Sequence, residues 1–246
     1  MEAIIMKLYS YSPMAASRGE LYTTICVAAI DIGNTYSGYA FSFHGDFQKK
    51  PLKIFASGWN AGSGSLILHK TPTALLLNPD QTFNSFGYNA EKNYSQLAEE
   101  DEHKDYYYFR RFQTILRKAS NLRMDTRIKE DRGVRTLQAT KMFSHAIRYL
   151  RDHFISKIDS PSSGITVDNI KFVLTIPAVC DDKAKEFILE AAITLIVLFV
   201  REVSNRHKCL LFRSQRLPIP FATTTFRQTE LCQEIFQKRP DLEKNA

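Results

Sequence analysis

Asp31, Gly33, Asn34, Thr35 and Tyr36 stand together in the stretch Asp31-Ile-Gly-Asn-Thr-Tyr-Ser-Gly38, and their types suit the binding of an anion. A glycine lets the backbone bend without a Cβ clash, so successive N–H groups can converge on one point. Converging N–H groups form a nest for a phosphate. Thr35 and Ser37 add hydroxyl donors. A carboxylate at Asp31 would lie beside such phosphates, where Mg²⁺ or its waters meet oxygen ligands. The same residues also build ordinary turns, so the stretch alone leaves a plain surface hairpin open.

Other candidate groups carry less chemistry. Cys26, Cys180, Cys209 and Cys232 show no close pair with zinc-like spacing. His145 and His153 are eight residues apart, which is not the i, i+4 spacing of a zinc helix, and read as surface or packing histidines. Asp105-Tyr-Tyr-Tyr-Phe-Arg-Arg-Phe112 interleaves aromatics with cations. Such a pattern grips single-stranded nucleic acid. It equally makes a helix with a core face and a snorkelling face, and that is the reading preferred here. Asn93-Tyr-Ser95 matches a glycosylation sequon, read as chance without a secretory leader.

The elements that must position the polar stretch are legible around it. Ile25–Ile30 and Tyr39–Phe43 read as strands on either side of a tight turn. Lys53–Ser57, Thr73–Leu77, Phe83–Phe86 and Ile170–Ile176 are further strands, with Asn78-Pro-Asp80 a turn and Gly87 a stop. Gly58–Ser65 is loop by composition, and Trp59 within it is expected to pack. Residues 90–117 have helical character, and Thr136–Ile158 is the clearest helix, with Phe143, Ala146, Ile147, Leu150, Phe154 and Ile158 at steps of three and four. Asp181 or Asp182 can cap a helix from Lys183 to about Ala192. Strands and helices in this order give a mixed α/β architecture.

The 31–38 stretch resembles the first phosphate loop of the actin-like ATPase superfamily. It is most similar to the heat shock protein 70 family in its heat shock 70 kDa protein 12 (12A/12B-like) branch. Lys70-Thr-Pro-Thr-Ala-Leu-Leu-Leu77, Phe83-Asn-Ser-Phe-Gly-Tyr88 and Val173-Leu-Thr-Ile-Pro-Ala178 agree with that branch in order and register. The resemblance covers roughly Ile25 to Ala192. It implies a ribonuclease H-like first lobe over 24–192, a mixed sheet flanked by helices, in a chain that is a truncated, ATP-binding member of a chaperone family.

By that likeness Gly33, Asn34, Thr35 and Tyr36 would offer N–H groups to the β- and γ-phosphates of ATP, and Asp31 would hold Mg²⁺ through water. Most relatives carry Thr where Asn34 stands. The family's catalytic lysine falls on Glu91 when counted without a gap from Gly87, with Lys92 one step beyond; either Lys92 serves or this element is lacking. Pro177 resembles the family's switch proline, and Lys185 stands where most members have its arginine partner, keeping charge but losing the planar fork. A sugar or acetate kinase of the same superfamily has a similar first loop, but the Ile-Pro-Ala and Lys-Thr-Pro-Thr segments favour the chaperone branch.

Composition agrees with a globular chain: 44% hydrophobic and 12% aromatic residues leave ample material for a core. Of the formal net charge of +7, +4 lies in residues 193–246, which hold nine Lys and Arg against five Asp and Glu. The basic balance is therefore not read as nucleic-acid binding. Residues 1–23 are expected as a poorly ordered arm, and 193–246 as a divergent tail, poorly ordered or partly helical. The apolar run Ile193–Val200 is short of the ~20 residues a spanning helix needs, so no membrane partner is expected and a cytoplasmic location is. The family's second phosphate loop lies beyond the resemblance. Half a cleft implies weak ATP binding and no ATPase, and leaves a non-catalytic interaction protein on the same lobe as the rival reading.

Overall fold

The computed structural model describes residues 2–6, 25–50, 53–61, 67–158, 165–176, 180–203 and 216–218. Glu2–Met6 (β1) is the first strand. Cys26–Ile32 (β2) is buried along its whole length, as expected for a strand covered on both faces. Tyr36–Phe43 (β3) returns antiparallel to it, with Asp31 opposite Gly38 and Ile32 opposite Ser37. The expected hairpin is thus present, with its tip at Gly33–Thr35. A short helix, His44–Lys49 (α1), follows, and then the short strands Phe55–Ala56 (β4), Trp59–Asn60 (β5), Ile67–Leu68 (β6) and Thr71–Pro72 (β7). Trp59 packs as expected, 6% exposed, although it does so from a strand paired with β6 rather than from a loop.

Ala74–Leu77 (β8) and Phe83–Phe86 (β9) form an antiparallel pair. Gly87 then turns at φ 68° into the helix Tyr88–Glu99 (α2). A side chain at Gly87 would collide with the Thr71 hydroxyl, so close packing as well as the left-handed backbone requires glycine there. The expected helix does not continue to Arg117. Tyr107–Arg110 is a strand (β10) on the far edge of β8, followed by a 3₁₀ segment, Phe112–Asn121. Tyr108 and Phe109 point to opposite faces, Tyr108 stacking on Tyr94 at 4.1 Å and Phe109 entering the main core. A period of two, hidden in a run of consecutive aromatics, overrode the helical reading.

Arg127–Lys129 (β11) and Thr136–Gln138 (β12) make a small hairpin that leads into the long helix Ala139–Ile158 (α3). Ile170–Ile176 (β13) enters the sheet parallel to β2, and Asp182–Val203 (α4) follows. Asp181, not Asp182, caps this helix: its Oδ1 accepts from the Ala184 N–H at 2.9 Å. No glycine or proline interrupts 182–203, and the helix runs past Ala192, the expected end, through the apolar stretch. Arg216–Pro218 (β14) completes the main sheet, ordered β14-β1-β13-β2-β3-β4, with β7 also on β3. The expected arm therefore contains a strand: Glu2–Met6 pairs antiparallel with β13, and five residues are too few to show a period in sequence. Among the described residues no helix is long and apolar enough to cross a membrane.

The core lies between this sheet and the pair α3–α4. Phe143, Ala146, Ile147, Leu150 and Phe154 form the buried stripe of α3, as their spacing predicts. Phe154 meets Phe172 of β13, and Phe143 sits edge-on between Phe112 and Phe187 of α4. Ser144 ties the two helices by donating to the Ala191 carbonyl at 2.6 Å. This packing fixes β2 and β13 as rigid parallel neighbours, and both end at the hairpin tip.

Candidate functional site

The tip between β2 and β3 is built by its neighbours as much as by its own residues. Gly33 is needed for a close approach, since a Cβ there would collide with the Tyr36 carbonyl oxygen. Thr73 clamps the loop twice: its N–H donates to Thr35 O at 2.9 Å and its hydroxyl donates to Gly33 O at 2.7 Å. Ser37 Oγ lies 2.7 Å from the same hydroxyl. The Lys-Thr-Pro-Thr stretch is thus the brace of the tip. Tyr88, first residue of α2, donates its N–H to Thr71 Oγ1 at 3.1 Å, which brings the start of that helix beside the brace. Burial raises the Tyr88 phenol, and Tyr36 nearby raises it further.

Thr73 thus takes up the carbonyls of both Gly33 and Thr35. Among the described residues the N–H groups of Asn34 and Thr35 have no acceptor. Thr35 and Tyr36 are exposed and Gly33 and Asn34 half-buried. The Asn34 side-chain oxygen is buried and meets no donor among the described residues. Turning the amide end for end exchanges that acceptor for an N–H donor with no change in volume. The peptide donors fit a phosphate.

Asp31 does not stand ready for a metal ion. It is 8% exposed, at the C-terminal end of β2. Its Oδ2 accepts from Lys70 Nζ at 2.6 Å and its Oδ1 from the Thr175 hydroxyl at 2.7 Å. Thr175 is the β13 residue in register with Asp31, so the parallel pairing itself places that hydroxyl. The Lys70 stem passes Gly38, where a Cβ would lie 3.3 Å from Lys70 Cγ. Both oxygens of the carboxylate are engaged. A divalent ion about 4 Å from the ammonium would meet a repulsion on the order of 8 kcal/mol at an effective dielectric of about 20. As arranged, Asp31 does not fit Mg²⁺, and among the described residues no cluster of three His, Cys, Asp or Glu could hold a metal.

The remaining site residues named from sequence are spread out. Lys92 is exposed on α2 and forms no ion pair among the described residues. Glu91, before it, is pushed up by burial, with Arg110 nearby opposing that shift. Lys185 lies on the first turn of α4 with Nζ 3.2 Å from Asp182. Pro177 lies outside the described residues. The sequence reading missed Lys70, Thr73 and Thr175, which surround Asp31 and the tip. It also missed Arg111, whose N–H donates to Thr73 O at 3.1 Å from a left-handed backbone, φ 50°. The one local signal for the brace was the Lys-Thr-Pro-Thr motif; Thr175 and Arg111 carried none.

No family model matches the chain. Over 167 residues it is 38% identical to human heat shock 70 kDa protein 12B, covering 68% of this chain and 24% of that protein. It is 34% identical to mouse heat shock 70 kDa protein 12A and 33% identical to the human form, each over 175 residues, 70% of this chain and 25% of theirs. The chain spans about a quarter of the length of the curated relatives it matches. The likeness first carried by the hairpin, its brace and the end of β13 thus extends over most of the sequence, and the chain belongs to the heat shock 70 kDa protein 12A/12B branch of the heat shock protein 70 family.

Proposed function

We propose that the β2–β3 tip holds the phosphate chain of a nucleotide, ATP by the family likeness, and that this chain supplies one wall of the site. The observation that carries the reading is the pair of N–H groups at Asn34 and Thr35 that have no acceptor among the described residues, on a loop whose carbonyls Thr73 has taken up. A braced loop whose carbonyls are taken up and whose N–H groups are open presents fixed positive dipoles, which suits an anion. Gly33 allows the fold of the loop, Tyr36 follows the tip with its side chain exposed, and the Arg111 backbone ties into the brace. Lys92, exposed on α2, is the less favoured cation. Lys185, with Pro177, keeps the switch role that the likeness implies.

Binding is weak in this reading and turnover does not follow it. Transfer of a phosphoryl group needs charge stabilisation from opposite sides and a positioned attacking water. The described residues provide donors on one side. Isothermal calorimetry with ATP tests this: a dissociation constant of about 1 mM, near −4 kcal/mol, is expected, with no phosphate release over the buffer rate. Micromolar affinity or steady phosphate release contradicts the weak, non-hydrolysing site; no heat at any concentration contradicts the site itself.

A further inference from the structure

The pairing of Lys70 with Asp31 deepens this reading and rests on it. Asp31 is the carboxylate that would face a metal beside the phosphates, and a lysine from the same brace already occupies it at 2.6 Å. The pair is largely sheltered, with the side chains 18% and 11% exposed. Thr175 takes the other oxygen, and Gly38 leaves room for the lysine stem. Breaking a sheltered ion pair by removing one partner leaves a buried charge uncompensated, so the lysine is held there by the cost of moving it. It is thus a built part of the site and not a surface contact.

We propose that Lys70 is the resident cation of the phosphate site, occupying at Asp31 the place of a divalent ion, so that the tip takes a nucleotide's phosphate chain without Mg²⁺. Two charge states follow from the same geometry. With Lys70 present, Asp31 is neutralised and a metal gains nothing from it. With Lys70 removed, Asp31 becomes a sheltered carboxylate with one free oxygen, which a hydrated divalent ion can satisfy.

The test uses the full chain and two probes. Manganese titrated alone and followed by electron paramagnetic resonance reports metal binding directly. ATP titrated in EDTA and then in excess Mg²⁺ reports the nucleotide. For the native chain the proposal expects no manganese uptake and ATP affinities within about twofold in the two buffers. Lys70→Met is expected to take up manganese and to lose at least about tenfold in ATP affinity in EDTA, with recovery in Mg²⁺. Lys70→Arg should behave as the native chain, and Asp31→Asn with Lys70→Met gives a neutral pair if the single variant unfolds; that double variant should bind neither manganese nor ATP in EDTA. A tenfold gain in ATP affinity from Mg²⁺ in the native chain, or manganese uptake by it, overturns the proposal and leaves the phosphate site standing. ATP binding in neither buffer overturns the phosphate site, and this proposal with it.

Discussion

Thr175 and Asp31 face each other across the parallel pair β13–β2, and the Thr175 hydroxyl donates to Asp31 Oδ1 at 2.7 Å inside the protein. The threonine side chain reaches the candidate site from β13, so the contact joins that strand to the hairpin. Its cost of removal is that of a sheltered hydrogen bond to a charged group. Thr175→Val, which keeps the shape, should lower unfolding free energy by about 1.5–3 kcal/mol in urea titrations. Thr175→Ser should keep most of the stability. A valine variant within about 0.5 kcal/mol of native would show that the hydroxyl contributes nothing to holding Asp31.

Gly87 offers a sharper test of the brace. Its backbone is left-handed at φ 68°, and a methyl group there would drive into the Thr71 hydroxyl that receives the Tyr88 N–H. Gly87→Ala should cost about 2–4 kcal/mol, combining backbone strain with overpacking. Adding Thr71→Ala to the same chain should recover part of the loss by relieving the collision. If the second change makes matters worse by the full cost it has alone, the two residues are not in conflict and the local packing is other than described.

What sequence reading reached follows from distance along the chain. The hairpin was legible because strand, turn and strand lie within Cys26–Phe43, and the α3 stripe because its period repeats over five turns. Strand β10 was not, because consecutive tyrosines mask an alternation that only the two faces of a sheet reveal. The local pattern places Asp31 near the end of its strand, but its partners lie 39 and 144 residues away. Nothing local to Asp31 announces that a lysine holds it.

The histidines of α3 make stability depend on pH. Burial, with Arg148 and Lys141 adding to it, lowers His145 from 6.5 to about 4. His145 is therefore neutral in the folded chain and gains a proton more readily when unfolded. Its contribution is fully present above pH 6.5 and is lost as pH falls from 6.5 toward 4, for a total of about 3 kcal/mol. His153, stacked on Trp59 at 4.2 Å and 2.7 Å from the Tyr39 hydroxyl, is also lowered by burial and acts in the same direction. Urea midpoints compared between native and His145→Gln chains isolate the first residue. The two curves should converge as pH drops through that window; parallel curves would mean that His145 titrates as it does in water.

The most direct test of the phosphate site is an ATP titration of the ¹⁵N-labelled chain followed by amide correlation spectra. The amides of Asn34 and Thr35 should move first and furthest, with Gly33 and Tyr36 shifting beside them and Thr73 following through its hold on the loop. Stationary tip amides up to millimolar ATP, while resonances elsewhere in the chain shift instead, would contradict the account.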